Sequence, residues 1–182
     1  MIRTESIYIH VPFCAGKCPY CSFYSIPYSE AAGELYLRAM KREIDLAGEA
    51  GFKPAPQTLY VGGGTPSVLR SLQFQRLFDV IADGLLLVNC GEWTIEANPD
   101  SLTATKIRAA RDAGVNRISL GVQTIDESAL ARLGRNYTAH KVEERIACIR
   151  AEGIGNVGVD LIAGLPGVSR EMWRRTIDWV CG

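Results

Sequence analysis

The sequence predicts an α/β fold in which parallel strands alternate with helices. Three observations support this: five short apolar runs have strand character, segments with helical periodicity separate them, and the strand-then-helix order recurs along the chain. Such alternation gives a parallel sheet with right-handed crossover connections, and short apolar strands suit burial on both faces. We therefore expect an open α/β sheet or an α/β barrel built from one domain.

The predicted elements follow one another along the chain with short connections. The strands are expected at residues 6–11, 57–61, 93–97, 117–121 and 158–162. The helices are expected at residues 30–48, 71–84, 103–113, 139–152 and 169–180. Thr103, Thr138 and Ser169 stand where N-cap residues should lie, because a hydroxyl there can accept a hydrogen bond from a free backbone amide. Gly114 and Gly153 stand where two of the helices should end.

The composition argues against two classes of partner. Among 182 residues, Lys+Arg 20 balance Asp+Glu 20, so no strong basic field favours nucleic acid or an anionic membrane surface. The chain is 47% hydrophobic, which is enough for one domain with its own core. The longest apolar stretch, around residues 85–88, is too short to span a bilayer. We expect a soluble cytoplasmic protein.

A CxxxCxxC motif follows the first predicted strand, with its cysteines at Cys14, Cys18 and Cys21. Three thiolates are one fewer than the four that fully ligate a cubane iron-sulfur cluster, so one iron would stay open to a small molecule. A zinc site usually has a second ligand pair downstream, which this sequence lacks. Disulfide frameworks are typical of much shorter secreted chains. The motif therefore favours an iron-sulfur cluster.

Other unusual residues also follow predicted strands, at the edge where parallel α/β folds carry their chemistry. A glycine triplet at residues 62–64 lets the backbone approach a ligand closely, although such a triplet alone is more often a tight turn. Glu96 and Asp160 end strands that should be buried, so each needs a hydroxyl or ammonium partner, or forms a structural ion pair or N-cap. Arg135 is suited to a ligand carboxylate, while Gln123 and Arg135 can equally be surface polar residues.

Four further residues are predicted to have no role in ligand binding. His10, the histidine nearest the cysteine motif, is expected to be a wall or core residue. Cys90, Cys148 and Cys181 lie far apart and beside apolar residues, so each is expected to be a small buried core residue.

Six motifs in order resemble those of the radical S-adenosylmethionine enzymes. They are YIHVPFC with CxxxCxYC, GGGTP, IEANP, RISLGVQ, LGR and DLIAGLPG, beginning at residues 8, 62, 95, 117, 133 and 160. More narrowly, they resemble the oxygen-independent coproporphyrinogen III oxidase-like subgroup, which includes the HemW-like haem chaperones. The resemblance covers nearly the whole chain and implies a partial (β/α)6 TIM-like barrel. Since we count about five βα units, we expect residues 1–182 to be a radical S-adenosylmethionine core domain truncated before a sixth strand and a C-terminal domain.

The resemblance also implies the cofactors and their ligands. Cys14, Cys18 and Cys21 would bind a 4Fe–4S cluster whose fourth iron takes the amino and carboxylate groups of S-adenosylmethionine. The other implied cofactor contacts are Tyr8, Gly63, Gly64, Thr65, Glu96, Gln123, Arg135 and Asp160, with Tyr20 beside the cluster. A flavodoxin or ferredoxin would supply the electron for reductive cleavage of S-adenosylmethionine.

The sequence departs in two ways from the pattern of the oxidases in this subgroup. The oxidases resemble CxxxCxxCxC, whereas this chain has Phe23 two residues after Cys21, and only thirteen residues precede Cys14. Both departures favour a haem chaperone, for which the resemblance implies haem as cargo, haem-accepting respiratory proteins as partners and peripheral membrane association. Two alternatives stay open: an oxidase that decarboxylates coproporphyrinogen III, and a non-catalytic iron-sulfur binding module.

Overall fold

The computed structural model describes residues 6–52 and 54–182, and it has seven strands and six α-helices there. In chain order the strands are β1 (Ser6–Val11), β2 (Phe13–Cys14), β3 (Ile26–Pro27), β4 (Thr58–Gly63), β5 (Glu92–Ala97), β6 (Arg117–Gln123) and β7 (Asn156–Leu161). The helices are α1 (Glu30–Glu49), α2 (Ser71–Gly84), α3 (Ala104–Ala113), α4 (Glu127–Arg132), α5 (Ala139–Ala151) and α6 (Arg170–Cys181).

Five of the strands form one parallel sheet in the order β1-β4-β5-β6-β7. Sequential strands are neighbours, and a helix connects each to the next, which is the arrangement of a partial α/β barrel. The predicted fold class is therefore confirmed. The small parallel pair β2 and β3 was not predicted, because strands of two residues carry no hydrophobic period.

One face of the sheet packs against the helices and the other carries mostly polar side chains. The expectation of burial on both faces holds for β5 and β6, where Thr94 and Ser119 are buried, and was wrong for the outer strands β1 and β7. Ile95 in β5 and Ile118 and Leu120 in β6 are fully buried, and they belong to one core with Phe74 and Ile81 of α2. The alternate positions of the strands carry polar side chains. Since neighbouring residues of a strand point to opposite faces, the helices cover the apolar face and the polar face remains free to line a site.

Helix ends follow the predicted capping chemistry. The hydroxyls of Thr103, Thr138 and Ser169 each accept a hydrogen bond from the backbone amide three residues later. Gly114 ends α3 with a φ of 104°, a left-handed conformation that glycine adopts without a steric penalty. The short helix α4 was missed, although Asp126 caps it in the same way.

The three cysteines outside the motif are less buried than predicted. Cys90 and Cys148 are half-buried, and Cys181, in the last turn of α6, is exposed. The prediction was wrong for Cys181 because proximity to apolar residues in a helix does not fix which side of the helix a residue occupies. No helix in the described part of the chain combines the length and the apolarity needed to cross a bilayer.

Replacing Ile95 by alanine should lower the free energy of unfolding by about 3 kcal/mol, because it leaves a cavity in the centre of the fully packed core. Chemical denaturation measures this loss. Val88→Ala is the control, since Val88 is 87% exposed and its replacement should change stability by less than about 0.5 kcal/mol. Equal losses in the two variants would contradict the described core.

Candidate functional site

A cleft of about 770 Å³ opens at the carboxyl ends of the central strands. All twelve residues predicted as metal or cofactor contacts line it. They come from β1, from the cysteine loop, from the ends of β4, β5, β6 and β7, and from the segment between α4 and α5. The topology therefore brings together in one cavity residues that are far apart along the chain.

The cysteine loop is closed by the short pair of strands at its base. Cys14 ends β2, and its carbonyl accepts a hydrogen bond from the amide of Tyr28 at 2.9 Å. At the far end of the motif, the amide of Cys21 donates to the carbonyl of Cys18 at 3.1 Å. The Lys17 side chain donates across the loop to the carbonyl of Phe23. All three thiols of the motif are free and half-buried, which leaves them available as ligands.

The three sulfurs line the cleft without converging on one point. Within residues 6–52 and 54–182, no three Cys, His, Asp or Glu side chains are grouped closely enough to hold a single metal ion. A cubane cluster binds each cysteine at a different iron, so its ligands do not need such convergence.

The glycine turn packs directly against the start of the cysteine loop. The amide of Gly64 donates to the carbonyl of Val11 at 2.9 Å, and the amide of Thr65 donates to the carbonyl of Phe13 at 2.6 Å. A Cβ on Gly64 would lie 2.5 Å from the Phe13 carbonyl oxygen. The Thr65 hydroxyl lies 3.7 Å from the sulfur of Cys14. The turn and the cysteine loop thus form one packed unit.

Position 63 requires glycine for two reasons: its backbone conformation and the lack of space for a side chain. Its φ is 111°, and a Cβ there would lie 2.4 Å from the His10 ring. His10 donates from Nε2 to the carbonyl of Tyr24 at 3.1 Å and accepts at Nδ1 from the Tyr8 hydroxyl at 3.0 Å. Both ring nitrogens of His10 therefore have hydrogen-bond partners within the protein, as expected of a wall or core residue.

Two carboxylates in the cleft are held by hydroxyl groups that were not predicted. The Tyr60 hydroxyl donates to Oε1 of Glu96 at 2.7 Å, and the amide of Gly63 donates to Oε2 at 2.9 Å. The Ser119 hydroxyl lies 3.0 Å from both carboxylate oxygens of Asp160. The prediction that both acids are buried was wrong, since Glu96 is half-buried and Asp160 is exposed.

The two hydroxyl and carboxylate pairs share the same strand register. Tyr60 is in register with Thr94, two residues before Glu96, and Ser119 is in register with Gly158, two residues before Asp160. Each hydroxyl therefore donates to the carboxylate two residues beyond its register partner, on the same face of the sheet. Burial and the adjacent Glu96 carboxylate raise the pKa of Tyr60, so its hydroxyl keeps its proton at neutral pH. Register within the predicted sheet was the signal that could have identified both donors.

Arg135 connects the cysteine loop to the opposite wall of the cleft. One of its terminal nitrogens donates to the Tyr20 hydroxyl at 3.0 Å. Burial raises the pKa of Tyr20, and the hydrogen bond from Arg135 opposes this rise without cancelling it. The Nε of Arg135 is buried and has no hydrogen-bond partner within the described ranges. Arg135 also lines the cleft, so its guanidinium suits an anionic ligand group there.

Gln123 is the one non-glycine residue with a positive φ in the described chain, at 69°. It ends β6, where a register irregularity separates it from Gly121, and its carbonyl accepts from the amide of Ile162 at 3.0 Å. Only 9% of it is exposed. Strained backbone of this kind is concentrated at functional sites, where surrounding contacts maintain it.

The residues of the cleft fit the cofactors that the sequence implies. Three free thiols supply iron ligands, the Arg135 guanidinium suits a carboxylate, and two hydroxyl-bound acids offer acceptors to amino or hydroxyl groups. The glycine turn presents backbone to the cavity with no side chain in between.

Comparisons with known proteins agree with this geometry. The chain is 38% identical to the haem chaperone HemW of Bacillus subtilis over 176 residues, which cover 96% of this chain and 46% of that protein. It is 36% identical to HemW of Lactococcus lactis over 177 residues, which cover 97% of this chain and 45% of that protein. The chain thus spans about half the length of the curated relatives it matches.

The structure resembles that of coproporphyrinogen III oxidase (HemN) from Escherichia coli, a radical SAM enzyme. The TM-score is 0.88 at 28% sequence identity, and the match covers 98% of this chain and 41% of that one. The family profile described as the Radical SAM superfamily matches residues 8–180. The chain therefore belongs to the radical S-adenosylmethionine (radical SAM) superfamily.

Proposed function

We propose that the cleft binds a 4Fe–4S cluster through Cys14, Cys18 and Cys21 and binds S-adenosylmethionine beside it. The observation that carries this proposal is the single cavity that all twelve predicted residues line. In this assignment the Arg135 guanidinium receives the ligand carboxylate, and Glu96 and Asp160 accept hydrogen bonds from the amino or hydroxyl groups of the ligand. Tyr8, Gly63, Gly64, Thr65 and Gln123 complete the walls of the cleft.

The chain's own residues fix these groups before the ligand arrives. Tyr60 and Gly63 bind one oxygen each of Glu96, so the carboxylate has a set orientation. Tyr20 and Arg135 bridge the mouth of the cysteine loop. Cys14, Cys18 and Cys21 would hold the cluster, which, once reduced by a flavodoxin or ferredoxin, would supply the electron for reductive cleavage of S-adenosylmethionine.

We further propose that the whole protein is a haem chaperone that passes haem to acceptor proteins. The names of the similar HemW proteins support this role. Phe23 supports it too, because its side chain is 69% exposed and stands where the oxidase pattern has a further thiol. The second candidate is a coproporphyrinogen III oxidase, which the likeness to HemN favours. The third is an iron-sulfur module that does not cleave S-adenosylmethionine.

Replacing Cys14, Cys18 or Cys21 by alanine should abolish the cluster, because each thiolate binds a separate iron. Iron and sulfide analysis after anaerobic reconstitution measures the loss, with about four of each expected in the unmodified protein. The matched controls Cys90→Ala, Cys148→Ala and Cys181→Ala should retain full iron content. Full iron content in Cys18→Ala would rule out the assignment.

Tyr60→Phe and Asp160→Ala should weaken S-adenosylmethionine binding while leaving the iron content unchanged. Tyr60→Phe removes the hydroxyl that orients Glu96, and Asp160→Ala removes an acceptor, at a cost of roughly 1.5 to 3 kcal/mol if the bond is charge-assisted. Anaerobic calorimetry gives the dissociation constants. Tyr24→Phe is the control for the lost hydroxyl, since Tyr24 is 71% exposed and lies outside the cleft lining. Unchanged affinity in both test variants would remove these side chains from the site.

The full-length protein should bind haem with a shifted Soret band and release it to an apo-acceptor. It should not form protoporphyrinogen IX from coproporphyrinogen III, since Phe23 cannot perform the chemistry of a thiol. Absorption spectroscopy and anaerobic product analysis measure the two outcomes. Phe23→Cys should not create an oxidase, because the substrate must also be held in a reactive position. Formation of the divinyl product by the unmodified protein would favour the oxidase instead.

A further inference from the structure

Lys106 is a buried lysine behind the wall of the cleft. Only 7% of it is exposed, and its Nζ donates to the carbonyls of Ser67 at 2.6 Å and Ser101 at 2.9 Å. The ring of Phe74 has its centre 5.9 Å from the same nitrogen. None of the ion pairs found within residues 6–52 and 54–182 includes Lys106.

This position is unfavourable for a lysine in two ways. Burial penalises the charged form and lowers the pKa of Lys106. The residue also lies in the first turn of α3, where the helix dipole disfavours a positive charge. Lys106 has no carboxylate partner in the described ranges, so the reason for a lysine at this position lies in the two segments that its hydrogen bonds connect.

The two carbonyls belong to the loops that form adjacent walls of the cleft. Ser67 lies in the short 3-10 helix Pro66–Val68 that follows the glycine turn, and Ser101 lies in the loop after β5 and itself lines the cleft. The Ser67 hydroxyl lies 2.6 Å from the Ser101 hydroxyl and accepts from the amide of Asn98 at 3.0 Å. The lysine therefore binds the point where the two loops meet.

We propose that Lys106 is a positioning residue that holds these two loops together and thereby sets the affinity of the cleft for S-adenosylmethionine. The proposal rests on the proposed cofactor site. Lys106 does not line the cleft, so it acts through the backbone of Ser67 and Ser101 rather than by touching the ligand. These loops carry Thr65 and follow Glu96, two of the predicted contacts.

The test replaces Lys106 by methionine, which keeps the length of the side chain and removes the donor. The dissociation constant for S-adenosylmethionine should rise about tenfold, equivalent to about 1.4 kcal/mol. Amide hydrogen exchange should accelerate in residues 64–69 and 98–103, while the iron content stays unchanged. The electron paramagnetic resonance spectrum of the reduced cluster alone should also stay unchanged, with more S-adenosylmethionine needed to alter it.

Lys141→Met is the matched control. Lys141 occupies the same position in α5, where its amide donates to the Thr138 hydroxyl at 3.3 Å, as that of Lys106 donates to Thr103 at 3.4 Å. Its side chain, however, is 45% exposed and pairs with Glu144. This variant should bind S-adenosylmethionine like the unmodified protein and show no change in exchange of the two loops.

The outcomes separate this inference from the proposed function. If the unmodified protein binds S-adenosylmethionine and Lys106→Met binds it equally well with unchanged exchange, the positioning role is overturned. If the unmodified protein binds none, the proposed function fails. In that case, faster amide hydrogen exchange of the two loops in Lys106→Met would support the conclusion that Lys106 holds them together, and unchanged exchange would contradict it. If Lys106→Met does not fold, Lys106→Gln replaces it under the same expectations, and failure of both to fold would show that Lys106 only maintains the fold.

Discussion

The site depends on one constraint: successive side chains along each parallel strand point to opposite faces of the sheet. Along β5, Trp93, Ile95 and Ala97 pack in the core, while Glu96 points to the opposite face and lines the cleft. Hydrophobic burial against the helices fixes the register of each strand, since a slip of one residue would expose the apolar set. The same register then places Tyr60 beside Glu96, so burial on one face sets the chemistry of the other.

Much of this organisation could be predicted from the sequence. The order of strands and helices, the hydroxyl caps and the ends of the parallel strands depend on local patterns, and those patterns held in the structure. The motifs at residues 8–14, 62–66 and 95–99 placed their residues around one cleft because strand ends in a parallel sheet meet at one edge. Burial was predicted only in part: polar side chains alternate along the strands, and although Thr94 and Ser119 are buried on that face, Asp160 in the outer strand β7 is exposed.

The rest could not be predicted because it depends on contacts between distant segments. Tyr60 and Ser119 have no unusual spacing, and their roles appear only when the register with the next strand is known. Lys106 resembles an ordinary helical lysine such as Lys141, and the sequence contains no sign that one is buried and the other exposed. The pair β2 and β3 is similarly defined by pairing rather than by composition.

The glycine turn shows why the proposed cluster and cofactor sites are physically coupled. Gly64 and Thr65 donate to the backbone just before Cys14, and Gly63 donates to the carboxylate of Glu96. A side chain on Gly63 would meet the His10 ring, and one on Gly64 would meet the backbone of Phe13. A substitution in this turn would therefore displace the cysteine loop and the cofactor wall together. Selective tests of the cofactor contacts must instead use side chains such as Tyr60 and Asp160, which leave the contact between the turn and the loop intact.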